Sequence, residues 1–382
     1  MNYIFTIVIF LLSTISHGPI PWIVALTILL TLLFFKRKYI TVSVTEQVIL
    51  LLMLTLIFLD GLFFVTDLLY GPQMEVYYNS LLNNLIVYSI CLLSYFCLAV
   101  SYRVYQNSIE AALVLVLKIH LALFFIQVVL YHGVGYFIDF VYPFTGELTR
   151  AGIYSDNLSG YYSLISFRPT GFFVEPSTYS ASIITLSWIL RLISSKYIKF
   201  TNISFFSAIL TFSTAGIIIS IISIVISNYV LAKNSATKIF SFLLFIIATV
   251  LVLGTTIDYQ LEKMDSTLGY RTNLIFETYE LINNKVIPSG FFAVDEEISK
   301  KSHAELGQKR ELGSLNDSSL FIYIALKFGY LGLVLYLCIC FNPLVSRNVK
   351  LGLIIVSLTK VSITYPIFWM FIGLAYRNKH ND

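Results

Sequence analysis

The chain has 382 residues, of which 57% are hydrophobic and only 12% are charged, and its formal net charge is +4. A soluble domain has about 25% charged residues, so a chain this poor in charge cannot cover itself with polar surface. Long apolar runs such as 48–58 and 236–253 recur along the sequence. The composition therefore excludes an ordinary soluble enzyme and predicts an integral membrane protein.

Apolar segments follow one another from the N-terminus. They predict an all-α integral membrane protein, a polytopic bundle of about 12 transmembrane helices with 11 as the alternative, in a single domain over 1–382. Residues 3–16 are expected to be a retained first helix, because no positively charged stretch precedes them. The helix count depends on 351–376, which makes one pass or two. Lys360, midway along that segment, marks the turn if there are two.

Lysine and arginine concentrate in cytoplasmic loops and so set the orientation of a membrane protein. They recur after alternate predicted helices and indicate that both termini are cytoplasmic. This threading leaves 132–170 and 258–317 as two large loops on the outer side, the second of them strongly acidic. Long loops in compact proteins are usually functional or disordered. The residues that set the orientation are Lys36, Arg37, Lys38, Arg103, Arg191, Lys196, Lys199, Lys233, Lys238, Arg347 and Lys350.

The segment 168–179 reads Arg-Pro-Thr-Gly-Phe-Phe-Val-Glu-Pro-Ser-Thr-Tyr and joins the first outer loop to the next predicted helix. Arg168 and Glu175 are charges at or below the outer interface, where charge is costly. Pro176 and Gly171 interrupt the helix, and broken backbone at that depth must line a cavity or be buried in protein. A helix that restarts near Pro176 points its positive end at the cavity, which suits an anion. The alternative is an ordinary Arg–Glu pair beside a proline kink.

Two segments of the second outer loop complete the predicted site. Arg271 is a cation on an acidic loop, and its planar guanidinium suits bidentate phosphate binding; the alternative is an ion pair with a nearby carboxylate. Asn316 and Asp317 return the loop to the membrane, where Asp317 either caps a helix or faces the site. His303 lies in the same loop and is either a site residue or a bystander.

The sequence carries no recognisable motif for binding a nucleotide, a cofactor or a metal ion. There is no Walker loop, no dinucleotide-binding glycine motif and no His-Glu-x-x-His, so we expect no cofactor and no nucleotide-driven step. All the cysteines, Cys91, Cys97, Cys338 and Cys340, lie in apolar segments, so we expect neither disulfides nor a metal site. We expect no nucleic-acid partner. A substrate of this protein must therefore carry its own activation, or the protein must use a gradient.

At these segments the chain resembles the bacterial O-antigen polymerase and O-antigen ligase superfamily. The likeness rests on Arg-x-x-Gly-Phe-Phe-x-Glu-Pro-Ser over 168–177, on an arginine in the second outer loop, and on the two large loops themselves. The ligase motif His-[Asn/Ser/Gln]-x9-Gly-x-x-[Gly/Thr/Tyr] is matched by Ser319, Gly329 and Gly332, but Ser318 stands where the histidine belongs. That departure favours the polymerase branch.

The resemblance implies a glycosyltransferase that polymerises undecaprenyl-pyrophosphate-linked oligosaccharide repeats into surface polysaccharide at the periplasmic face of the bacterial inner membrane. Both large loops would then be periplasmic. The expected partners are the lipid-linked oligosaccharide and the bilayer, with a chain-length regulator and a flippase of the same pathway. The catalytic set that it implies is Arg168 and Arg271 on the pyrophosphate, with Glu175 as the first candidate for the base and Asp317 as the second. The predicted substrate-binding residues are Gly171, Tyr179, Arg150, Asn316 and His303.

Two other functions remain as alternatives. An O-antigen ligase would transfer the finished polymer to lipid A core. A lipid-linked sugar transporter or flippase would use broken helices and buried charges equally well. The sequence shows no internal repeat and has a long second outer loop, and both features favour the enzyme over the transporter.

Overall fold

The computed structural model describes residues 1–14, 18–35, 74–151, 167–231, 319–341 and 345–375, with a few positions between 50 and 57. Every regular element in these ranges is a helix, so the all-α prediction is confirmed for the part of the chain that is described. The second predicted loop, 258–317, lies outside these ranges, as does the middle of the first.

The helices are numbered α1 to α10 in chain order. Their side chains are mainly leucine, isoleucine, valine and phenylalanine, and an α-helix satisfies the backbone polar groups of such segments internally. A one-turn 3₁₀ helix, Ser195–Tyr197, precedes α6. The helices are α1 Asn2–Ser13, α2 Pro19–Phe35, α3 Met74–Val134, α4 Tyr142–Thr145, α5 Pro176–Ile193, α6 Ile198–Ile209, α7 Thr214–Leu231, α8 Leu320–Cys340, α9 Arg347–Leu358 and α10 Pro366–Ala375.

Helices α5 and α6 run antiparallel. The hydroxyl of Tyr179, near the start of α5, lies 2.9 Å from Oγ of Ser207 on α6. Near the end of α5, the Nε of Arg191 donates to Oγ1 of Thr201 at 3.0 Å. The end of α6 therefore reaches the end of the bundle at which α5 begins, which we call the Glu175 end.

Helix α7 runs alongside α5 in the same direction. Its first turn packs on Ser180, so closely that a Cβ on Gly216 would meet the Ser180 side chain at 2.8 Å. Further along, the Trp188 indole N–H donates to Oγ of Ser223 at 3.0 Å. Both α5 and α7 consequently begin at the Glu175 end.

The segment 351–376 forms two helices rather than one. Helix α9 ends at Leu358 and α10 begins at Pro366, so the turn predicted at Lys360 is confirmed. Gly352 of α9 packs on Trp188 and Leu192 near the end of α5, whereas Lys360 reaches the start of α5. The turn between α9 and α10 therefore also lies at the Glu175 end.

Helix α8 differs from the single continuous span predicted for 318–341. Gly329 has φ 62° and ψ −159°, which no α-helical residue adopts, and the helix breaks there. The ring centroids of Phe321 and Tyr336 are only 5.5 Å apart. Fifteen residues of straight helix would separate them by about 22 Å, so the two halves of α8 fold back on each other at Gly329.

Among the described residues, Asn83–Val134 is the helical stretch that is long enough and apolar enough to cross a membrane, with an 18-residue window of mean hydropathy 2.5. That stretch contains a break at Tyr105, where φ is −129° and ψ is 33°. The count of about 12 passes accordingly stays a prediction. Shorter apolar helices of 10–17 residues are Asn2–Ser13, Pro19–Phe35, Thr214–Ile226, Lys327–Cys338 and Pro366–Ala375.

Candidate functional site

The segment from Phe167 to Glu175 is irregular backbone that lies almost entirely inside the protein. Helix α5 begins directly after it, with Pro176 in its first turn and Glu175 in extended conformation (φ −122°, ψ 143°) at the N-cap. Proline is favoured in the first turn of a helix because its missing N–H has no helical partner there. The predicted interruption and the predicted restart of the helix near Pro176 are both confirmed.

Gly171, in this segment, and Tyr179, near the start of α5, are buried and pack against each other. Gly171 has φ +57°, and a Cβ added to it would lie 3.1 Å from the Tyr179 ring, so glycine is required there. Tyr179 is fully buried and stacks on Phe124 with ring centroids 4.6 Å apart. Packing against α3 and α6 therefore buries both residues, and their role in substrate binding stays a prediction.

The Glu175 carboxylate is the centre of an ion-pair cluster. Arg150, from the predicted first outer loop, forms a short ion pair with Oε1. The ammonium of Lys360 lies 3.0 Å from Oε2, which also accepts a hydrogen bond of 3.1 Å from Oγ of Ser177. Arg150 is the most accessible member, with a side chain 57% exposed, whereas those of Lys360 and Glu175 are only 12% and 18% exposed. Three separate parts of the chain thus meet at one carboxylate.

These partners keep Glu175 ionised. Burial by itself raises the pKa of the carboxyl group, but Lys360 and Arg150, with the hydrogen bond from Ser177, outweigh burial, so the net pKa is below its ordinary value. Glu175 lies before the first residue of α5 and remains a carboxylate near neutral pH. A carboxylate held in this way is a weak proton acceptor.

Arg168 is buried at the same end of the bundle. Its Nε donates to the Thr211 carbonyl oxygen at 3.3 Å, in the turn between α6 and α7. Its backbone N–H donates to the Ala151 carbonyl at 3.2 Å, and the backbone N–H of Arg150 donates to the Val174 carbonyl at 2.8 Å. These backbone hydrogen bonds hold the peptide at Arg150 and Ala151 against the segment from Arg168 to Val174.

The arrangement favours an anionic ligand. The described contacts bring Arg150, Arg168 and Lys360 to one end of the bundle. The Glu175 carboxylate pairs with Arg150 and Lys360, and the carboxylate of Asp139 lies in the same segment as Arg150, where it accepts a hydrogen bond from the backbone N–H of Thr149. Helices α5 and α7 also begin there, and the positive end of a helix dipole attracts negative charge. Arginine and lysine side chains beside two helix N-termini are groups that bind a multiply charged anion such as a pyrophosphate.

Lys360 is the site residue that sequence reasoning missed, because we predicted only that it marks a turn. A signal was present in the sequence, since Lys360 is the one charged residue between Leu351 and Ala375. An ionisable residue inside an apolar segment is a functional candidate by default. What the sequence lacks is any indication that this turn meets Glu175, 185 residues earlier in the chain.

Four predicted site residues, Arg271, His303, Asn316 and Asp317, lie outside the described residues, so their placement stays a prediction. Within the described part of the chain, no group of three or more His, Cys, Asp or Glu side chains is arranged to hold a metal ion. No protein-family model, curated protein or solved structure matches this chain.

Proposed function

We propose that this protein is a membrane glycosyltransferase that polymerises undecaprenyl-pyrophosphate-linked oligosaccharide repeats at the periplasmic face of the bacterial inner membrane. The observation that carries the proposal is the cation cluster of Arg150, Arg168 and Lys360 at the Glu175 end of the bundle. It offers several positive groups to one anion, and the lipid-linked donor carries two phosphates. The fold class and the resemblance over 168–177 support the same proposal.

The exterior of the bundle supports a membrane setting. Helix α2 presents Ile20, Phe34 and Phe35 to the outside, and the last of these is 78% exposed. Soluble monomers rarely expose extended apolar patches, whereas lipid chains solvate such surfaces. Further exposed apolar side chains occur on α1, α3, α6 and α8, among them Ile7, Leu85, Val129, Phe206 and Val334.

The proposed reaction transfers a growing glycan from its lipid pyrophosphate to a sugar hydroxyl of the next repeat. The hydroxyl oxygen bonds to the anomeric carbon of the donor sugar, and the bond from that carbon to the phosphate oxygen breaks. The bonding electrons leave with undecaprenyl pyrophosphate, which gains negative charge. Arg168, with Arg150 and Lys360, stabilises that charge as it develops, which is the largest single contribution in many enzymes. The hydroxyl proton passes to a base.

We assign Glu175 the task of holding the cations rather than that of the base. Its lowered pKa and its contacts with Arg150, Lys360 and Ser177 disfavour proton uptake. Of the two carboxylates first considered, Asp317 is then the better candidate for the base. It is predicted to lie where the second outer loop returns to the membrane.

A flippase is the second candidate, because α8 folds back at Gly329 and α9 and α10 form a short helical hairpin. Such broken helices are typical of transporters. The lipid profile of a deletion strain separates the functions. We expect loss of this protein to leave single repeats on lipid A core. Polymer stranded on the lipid carrier would instead indicate a ligase, and repeats retained inside the cell would indicate a flippase.

The proposed orientation makes a second prediction. Reporter fusions at Ser155 and Ser299 should be exported, because both lie in predicted periplasmic loops, and a fusion at Lys196 should stay internal. Lys196 lies beyond the end of α5, at the opposite end from Glu175. An internal signal at Ser155 together with export at Lys196 would invert the protein and contradict the periplasmic site.

A further inference from the structure

Gln127 is a buried amide near the end of α3, only 1% exposed, and it binds two separate parts of the first outer segment. Its Oε1 accepts hydrogen bonds from the backbone N–H groups of Thr170 at 3.0 Å and Gly171 at 2.8 Å. Its Nε2 donates to the carbonyl oxygens of Ile138 at 3.0 Å and Gly171 at 3.4 Å. Both hydrogens and both lone pairs of the side chain are used, as a buried amide requires.

These bonds fix the backbone that carries Arg168. Thr170 and Gly171 follow Arg168 closely, and the Arg168 backbone N–H is itself bonded to Ala151. The peptide is thus held on one side by the outer loop and on the other by a helix of the core. Gly171 also has the positive φ that turns the chain toward Glu175. The direction in which the Arg168 side chain leaves the backbone depends on both attachments.

We propose that Gln127 is a positioning residue for the anion site, and that it aims the guanidinium of Arg168 by clamping the 170–171 peptide. This inference rests on the proposed function, which supplies the anion. Gln127 touches no substrate in this scheme and acts only through Arg168. If Gln127 only packed between helices, its substitution would lower stability without changing how Arg168 binds the anion.

Gln127→Met separates the two roles, because methionine has nearly the same length and volume but makes none of these hydrogen bonds. Gln106→Met is the matched control, since it makes the same change on the same helix at an exposed position. The full chain is purified in detergent, and its affinity for inorganic pyrophosphate is measured by calorimetry. We expect about 10-fold weaker binding for Gln127→Met, as for loss of hydrogen bonds that hold a charged group, and no change for the control.

The same measurement on Arg168→Ala and on the double variant completes a cycle. If Gln127 acts through Arg168, the double variant binds pyrophosphate no more weakly than Arg168→Ala alone. Amide hydrogen exchange at Thr170 and Gly171 should also become faster in Gln127→Met. Gln127→Glu gives a second test that does not depend on recovering Gln127→Met. A carboxylate keeps both bonds from Thr170 and Gly171, so amide exchange at these residues should stay parental, and faster exchange there would overturn the inference.

The outcomes are distinct. Parental binding by Gln127→Met overturns the inference but leaves the anion site intact, and so does a double variant that binds more weakly than Arg168→Ala. Unchanged exchange at Thr170 and Gly171 also overturns it, because the clamp is then not formed. If the parent protein does not bind pyrophosphate, the proposed function fails, and the inference fails with it because no anion remains for Arg168 to meet.

Discussion

Replacing Arg168 by alanine should abolish nearly all growth of the polysaccharide, and replacing it by lysine should abolish most of it. The side chain is buried at the Glu175 end and lies beside the turn that contains Thr211. Removing a charge-assisted contact from such a site costs about 2–4 kcal/mol, a rate loss of about 30- to 1,000-fold. Lysine keeps the charge but loses the planar two-pronged geometry that matches a phosphate.

The measurement is the length ladder of the surface polysaccharide, normalised to the amount of each variant in the membrane. Lys196→Ala is the control, because its side chain is 63% exposed and forms its ion pair with Glu110 at the opposite end of the bundle. Because that pair is far from the Glu175 end, we expect parental chain lengths. An Arg168→Ala variant that inserts normally and still gives parental lengths would remove the central cation of the proposal.

We expect the same losses for Arg271→Ala and Arg271→Lys.

Local signals in the sequence predicted the local features of the site. Pro176 cannot continue a helix from its N-terminal side, and Gly171 permits a backbone that other residues rarely adopt, so the break before α5 followed from residue types alone. The turn at Lys360 was predictable for a related reason, since a lone charge in an apolar segment is costly except where the chain reaches the interface.

Features that depend on tertiary packing were not predictable. The sequence does not show which face of α5 is covered by α3 and α6, and for that reason it does not reveal that Tyr179 is buried. The fold-back of α8 at Gly329 requires a positive φ that a glycine permits but does not demand. The meeting of Arg150, Glu175 and Lys360 depends on three loops that only the packed bundle brings together.

Lys360 therefore gives the sharpest test of the structure itself, because the motif over 168–177 does not include it. Lys360→Met removes the charge and keeps an apolar stem, while Glu175 retains its ion pair with Arg150. Loss of a hydrogen bond to a charged group costs about 1.5–3 kcal/mol, so we expect a loss in polymerisation of about 10- to 150-fold. Lys350→Met, at the far end of α9, makes the same change away from the site and should leave the length ladder unchanged.

Glu175→Gln should reduce polymerisation less than Lys360→Met does, if the Glu175 carboxylate holds cations rather than accepting a proton. The glutamine oxygen can still accept a hydrogen bond from one of the two cations, Arg150 or Lys360, so we expect a loss below about 10-fold, whereas removing a general base costs about 10²- to 10⁴-fold. A large loss for Glu175→Gln with parental activity for Lys360→Met would reverse the assignment. It would make Glu175 the base and reduce Lys360 to a residue that lowers its pKa. Equal small losses for Glu175→Gln and Lys360→Met would indicate that the anion binds elsewhere in the protein.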